Sequence, residues 1–209
     1  MDKKAKRQHS FAIFLLIALA FTVVAVTISS VVKAQQQDVV LVFSMDDKLP
    51  NGIDATTAAT DLNFNTFNVA KLIQGMLGCH LIRLVTHTDY KTKGQELRDQ
   101  VKEIMASGKD LHFVNEELNL SSYQRVFIGF PIWKREVPPE MKSFLEHQIS
   151  TLSQKEVYLF MTSHHAKTDK FLENFYKEFP GLNIAKTLSL KSEEKEKVKT
   201  LLINFLTGL

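Results

Sequence analysis

The chain has a single cysteine, Cys79, among its 209 residues, so no intrachain disulfide can form and no paired-thiolate metal spacing exists. An exported protein of this size does not depend on such staples. Cys79 follows the apolar positions Leu72, Ile73, Met76 and Leu77, and reads as a packing residue rather than a reactive thiol. Glycine is scarce too, with eight residues, and none builds a phosphate-binding signature: GxGxxG and the Walker A lysine motif are both missing. The nucleophile elbow GxSxG is missing as well, which removes the usual Ser–His hydrolase arrangement. His164-His165 has no third His, Asp, Glu or Cys at a recognisable spacing, and His80, His87, His112 and His147 are scattered over separate elements. No metal site and no catalytic residue is assigned.

Charge is missing from one long stretch. Phe11 to Val32 runs for 22 residues without an ionisable side chain, and about 20 residues suffice for a helix to cross a hydrocarbon core. Lys3, Lys4, Lys6 and Arg7 precede it, which places the N-terminus in the cytoplasm by the positive-inside rule and the rest of the chain on the far side. No face of the segment is polar, which argues against a buried helix of the globular domain. Residues 1–34 are therefore read as a signal or membrane anchor, transmembrane over about 11–32, and 35–209 as the domain. The apolar run exceeds a signal-peptide core of about 7–15 residues, so a retained single-pass anchor is expected, with cleavage after Ala34 and secretion as the alternative. Residues 1–34 hold five Lys or Arg and one Asp, which leaves 21 basic and 22 acidic residues beyond them. The chain's net positive charge thus belongs to targeting, and the domain carries no basic footprint for nucleic acid.

The domain alternates short apolar runs with amphipathic ones, and 44% hydrophobic residues give it material for a core. Asp38–Phe43, His80–Val85, Tyr123–Gly129, Glu156–Met161 and Asn183–Leu190 read as strands. Between and after them, helices are predicted from Asn65-Thr66 to about Leu77, Gly94 to Ser107, Pro138 to about Ile149, Thr168 to Phe179 and Ser192 to Leu206. Asn and Thr are good N-caps, Gly78 and Gly108 good stops, and prolines cost nothing in a first turn. Five strands alternating with five helices predict an α/β fold, a doubly wound five-stranded parallel sheet. One of its two common strand orders is 2-1-3-4-5, with the switch point between strands one and three.

Ligands of such sheets bind outside the carboxyl ends of the strands at the switch point. Three segments are expected to meet there. Ser44 to Thr66 combines hydroxyls with helix N-terminal amides, which suit a phosphate, although plain capping explains the same residues. Gly129-Phe130-Pro131-Ile132-Trp133 closes strand three on the only tryptophan, whose indole either stacks on a flat ring or fills the core. Lys134 and Arg135 beside it form a solvated rim or steer an anion. Thr162-Ser163-His164-His165 leaves strand four.

These residues resemble the FMN-binding flavodoxin-like family, in the branch with a long phosphate loop. Ser44 ends strand one, Asp54-Ala55-Thr56-Thr57-Ala58-Ala59-Thr60 intervenes, and Asn65-Thr66 opens the first helix. Tyr90 precedes a charged helix, Tyr123 precedes the strand leading to Gly129-Phe-Pro-Ile-Trp133, and Pro138 with Phe144-Leu145-Glu146 matches the helix that comes next in the family. The resemblance implies FMN as cofactor, with Ser44, Asn65 and Thr66 on its phosphate. It places Pro131, Ile132 and Trp133 along the isoalloxazine, and Thr162, Ser163 and His164 at the far side. It further implies an electron-transfer or oxidoreductase protein serving a small oxidant or a redox partner, which the N-terminal segment, expected to engage the membrane, places outside the cytoplasm. Phe64, Lys134 and His164-His165 depart from the family pattern and motivate the alternative, a flavodoxin-fold binding module that no longer takes FMN. A nicotinamide-dependent quinone or azo reductase conflicts with the expected location.

Overall fold

Strand β1, Asp38–Val42, is buried along its whole length and lies between β2, His80–Arg83, and β3, Arg125–Pro131. A strand flanked on both edges and covered on both faces has no polar surface to offer. This is why the run Val39 to Phe43 is continuously apolar. The structure is a computed structural model and describes residues 37–44, 65–91, 94–163 and 168–209. Gln37–Leu209 forms a unit of its own. The expected anchor, its cleavage point, the loop from Met45 to Phe64 and His164-His165 lie outside the described residues. Among the described residues, no helix is long and apolar enough to cross a membrane.

The remaining strands are β4, Glu156–Ser163, and β5, Ile184–Lys191. The sheet order is β2-β1-β3-β4-β5, every pair parallel. The predicted doubly wound α/β fold is observed. Five α-helices connect or follow the strands: α1, Thr66–Leu77; α2, Gly94–Ser107; α3, Pro139–Leu152; α4, Thr168–Glu178; α5, Val198–Leu206.

Strand side chains alternate between two cores. Val39, Leu41, Ile128, Phe130, Leu159 and Met161 pack with Val101 of α2, Met141 and Phe144 of α3, and Phe171 and Phe175 of α4. Val40, Val42, Phe127, Phe160 and Leu190 pack with Val69 and Ile73 of α1 and Leu202 and Phe205 of α5. Each fully buried Leu, Val or Phe contributes roughly 1.5–3 kcal/mol, so both layers are well supplied.

Three differences from the sequence reading have physical causes. β4 continues through the polar Thr162 and Ser163, paired to Pro131 and to Lys191, because neighbouring strands satisfy their backbone whatever their side chains. β3 starts at Arg125 and runs on through Pro131, where the register Pro131↔Thr162 ends the ladder. The last predicted helix divides into a 3-10 segment, Ser192–Lys197, and α5, because the charged run Glu193–Lys197 offers no apolar stripe to the core.

Two devices hold the sheet's margins. Arg125 donates from both Nε and Nη2 to Asp38, each at 2.7 Å, joining the amino ends of β1 and β3 in a bidentate pair. At the β2 edge, Asn115 acts as a backbone surrogate: its Nδ2 donates to the Arg83 carbonyl at 2.8 Å and its Oδ1 accepts from the Val85 amide at 2.9 Å. This covers an otherwise open strand edge.

Candidate functional site at the sheet's switch point

The connections that leave β1 and β3 go to opposite layers, to α1 and to α3, because β2 lies on one side of β1 and β4 on the far side of β3. The two chains stay paired as far as the Phe43 amide, which donates to the Gly129 carbonyl at 2.9 Å. Beyond that point the predicted segments arrive.

Hydroxyls gather on the α1 side. Asn65 is the N-cap of α1, extended at φ −142° and ψ 165°, and its Oδ1 accepts from the Asn68 amide at 2.8 Å. The capping role considered for it is real. Thr66, at the first helical position, is buried, and its hydroxyl meets that of Thr162 of β4 at 2.7 Å. Alternation along β1, with Val42 facing α1 and Phe43 the other layer, carries buried Ser44 to the same side. Ser44, Thr66 and Thr162 thus share one layer at one end of the sheet, beside the first-turn amides of α1 that no helix satisfies internally. Gly78 ends α1 with left-handed backbone, φ 64°, a conformation that suits glycine.

Aromatic rings gather on the opposite layer. Trp133 is 5% exposed and meets Phe43 and Tyr90 edge-on, at centroid distances of 5.7 and 5.2 Å. Its indole therefore fills the core, one of the two readings of the sequence, and its Nε1 is buried without a partner among the described residues. Pro131 and Ile132 are half-buried, and the Ile132 amide donates to the Thr162 carbonyl at 2.9 Å, binding the second and third segments together. Ser163 is buried, and its Oγ has no hydrogen-bond partner among the described residues. His164 lies outside them.

A short exposed hairpin follows β3, its base at Trp133 and Val137 in the aromatic layer. The Trp133 and Glu136 backbones exchange hydrogen bonds at 3.1 and 2.8 Å, with Lys134 and Arg135 at the apex in left-handed conformation, φ 48° and 70°. Two central residues at positive φ make a type I′ turn, which favours Asn-Gly. Lysine and arginine hold it under strain.

A polar centre that sequence reasoning did not single out lies behind Trp133. Glu140, in the first turn of α3, is fully buried. Its Oε1 accepts from the Tyr90 hydroxyl at 2.7 Å, Thr86 at 2.8 Å and Thr88 at 3.1 Å. Burial, and then the charge of Glu140, push the Tyr90 phenol up, so it stays a protonated donor. The only sequence signal was an acid beside Pro138-Pro139, the ordinary mark of a helix start.

A separate concavity of about 250 Å³ lies at the opposite end of the sheet, between Gln37, Gln124, Lys155 and Asn183. It has neither hydroxyl cradle nor helix N-terminus, and its Arg125 is committed to Asp38. Among the described residues no group of three His, Cys, Asp or Glu could hold a metal ion. In the exposed cluster around His112, Asp110 and Glu116 sit on opposite ring nitrogens, 3.2 and 2.9 Å away, so the three cannot converge on one ion.

Comparison with known proteins fits this geometry. A flavodoxin family model matches residues 85–205, more than half of the chain. The chain belongs to the flavodoxin family. The match begins after β2, so Ser44 and Asn65-Thr66 of this flavodoxin-family protein lie outside it. A search of curated proteins finds no match. Among solved structures, the chain is similar to a proposed flavoprotein of Bacteroides uniformis ATCC 8492, at 20% identity and a TM-score of 0.59, covering 80% of this chain and 97% of that one. A flavoprotein of Lactobacillus acidophilus NCFM, solved in complex with FMN, aligns at 17% identity and a TM-score of 0.54, covering 78% and 99%. Its apo form aligns at 19% and 0.52, covering 78% and 97%. At these identities the likeness supports the fold of this flavodoxin-family chain and leaves its ligand to its own residues.

Proposed function

We propose that this protein binds FMN in the crevice at the carboxyl ends of β1 and β3 and serves as an electron-transfer flavoprotein. The observation that carries the reading is the buried Thr66–Thr162 hydroxyl pair at the N-terminus of α1, on the layer to which strand alternation carries buried Ser44. Hydroxyl donors, the amides of a helix N-terminus and the positive end of a helix dipole together suit a phosphate monoester. The donor set fits FMN on the ring side too. The buried Oγ of Ser163 lacks a partner among the described residues, and the half-buried Pro131 and Ile132 end the strand beside it. When bound, FMN supplies one- and two-electron chemistry. The chain's residues hold the phosphate, exclude water from one side through the Phe43–Tyr90–Trp133 cluster, and set the polarity around the ring.

Acceptors within this reading are a small oxidant or a partner redox protein. The sequence supports a location outside the cytoplasmic membrane: the uncharged Phe11–Val32 run behind a basic cluster is the pattern of a single-pass anchor. A nicotinamide-dependent reductase is disfavoured there.

Two observations favour the alternative, a flavodoxin fold that has lost its flavin. Trp133 is spent on the core, and the family match stops short of the phosphate half. Titrating FMN with the full chain separates the two readings. Quenching of flavin fluorescence at micromolar protein is expected; fluorescence unchanged across that range would leave the binding-module reading standing.

A further inference from the structure

Glu140 is a buried carboxylate that the flavin reading does not use. Burying a carboxylate is expensive unless hydrogen bonds compensate. Here one oxygen, Oε1, takes all three bonds while Oε2 is buried without a partner among the described residues. The three donors are Thr86, Thr88 and Tyr90, alternate residues of the segment that leaves β2. One oxygen of α3 therefore gathers the stretch Thr86–Tyr90 of the β2–α2 connection. That connection is anchored at its other end by Gln100 of α2, which accepts from the Lys91 amide and donates to the Asp89 carbonyl. Tyr90 cannot move without breaking its bond to Glu140, and Trp133 lies 5.2 Å from the Tyr90 ring at an interplanar angle of 70°.

We propose that Glu140 is a positioning residue of the flavin crevice: acting through Tyr90, it locks the β2–α2 connection to the Trp133 loop and makes the aromatic wall rigid before a ligand arrives. The inference rests on the flavin reading for its ligand, but the lock itself is a property of the apo chain. A preformed wall spares the ordering cost that a mobile one would exact on binding. The network explains why an acid is tolerated at a fully buried position of α3. A hydrophobic residue there would pack equally well and hold nothing.

Two substitutions in the full chain separate locking from simple packing. In Glu140→Gln, the side-chain carbonyl can still accept the three hydroxyls; Glu140→Met fills similar volume and accepts none. Trp133 is the only tryptophan, so the near-UV circular dichroism and fluorescence of the apo chain report its surroundings. Glu140→Met is expected to lose the near-UV tryptophan and tyrosine signal while keeping the far-UV spectrum, and to weaken FMN binding at least tenfold. Glu140→Gln is expected to restore both to within about threefold of wild type. A Glu140→Met chain with wild-type near-UV spectrum and FMN affinity overturns the proposal, as does a Glu140→Gln chain as impaired as Glu140→Met. If Glu140→Met does not fold, Tyr90→Phe with Thr88→Val replaces it: unchanged spectrum and affinity overturn the lock, and loss of both upholds it. Failure of wild type to bind FMN would sink the flavin reading alone, because the apo spectra still test the lock.

Discussion

Gly129 lies in β3, two residues before the strand ends at the candidate site, and its role can be tested apart from any ligand. A Cβ placed on Gly129 would fall onto Cζ and Cε2 of the Phe160 ring, which is fully buried in the α1/α5 core. Glycine here therefore makes room for a neighbour's ring across the β3–β4 pairing Gly129↔Phe160. In Gly129→Ala, Phe160 must shift by more than an ångström into packed surroundings, at the upper end of the 1–3 kcal/mol range for overpacking, about 3 kcal/mol. With a urea m-value of about 2 kcal/mol/M, the unfolding midpoint should fall by about 1.5 M. Phe160→Leu alone leaves a void and costs roughly 1–2 kcal/mol, below the range for truncation to alanine. Together the two changes should cost less than their sum by at least about 1.5 kcal/mol, since shrinking the ring accommodates the new methyl. Equilibrium urea unfolding of the four chains supplies the cycle. Gly129→Ala within about 0.5 kcal/mol of wild type, or strictly additive effects, would refute the reasoning.

Three further predictions concern separate features. Replacing Lys134-Arg135 by Asn-Gly relieves left-handed backbone at two positions, each worth up to about 1 kcal/mol; thermal unfolding should shift up by about 2–4 °C, and a lower midpoint would contradict the turn assignment. Burial, then the charge of Asp38, push the Cys79 thiol up to about 11. Its contribution to stability is complete below an unfolded value near 9 and lost as pH rises from there to about 11, so at pH 8 Ellman's reagent should label the denatured chain fully and the native chain only as it unfolds. The Glu116 hydrogen bond first, then the charges of Glu116 and Asp110, raise His112 above 6.5. That contribution is full below 6.5 and fades as pH climbs through the raised value; an NMR titration should show the midpoint falling in Glu116→Gln.

The legible parts of this fold were those written in local pattern. Continuous apolar runs located β1 and β4 because strands covered on both faces have no polar side to show. Asn65 and Gly78 marked the ends of α1 because caps are chemical requirements of those positions. Thr162 and Ser163 were read as loop because their strand character comes from partners at 131 and 191, which no local pattern announces. The Lys134-Arg135 turn carries no Asn-Gly signal, since its conformation is imposed by the buried Trp133 and Val137 on either side. Site residues drawn from hydroxyls at strand and helix ends did converge, as Thr66 and Thr162 show. The direction of the Trp133 indole depends on Phe43 and Tyr90, far away in sequence, and Glu140 draws its meaning from donors about 50 positions earlier.

The central claim is that the Ser44–Thr66–Thr162 end of the crevice holds the phosphate of FMN, and comparing FMN with riboflavin tests it most directly. Hydrogen bonds to a charged group contribute about 1.5–3 kcal/mol each, so even two place FMN about a hundredfold or more above riboflavin in affinity. Fluorescence titration of the full chain should show that ratio, and Thr66→Val should reduce it at least tenfold while leaving riboflavin binding nearly unchanged. Equal affinity for the two flavins, or a ratio indifferent to Thr66, would contradict the account.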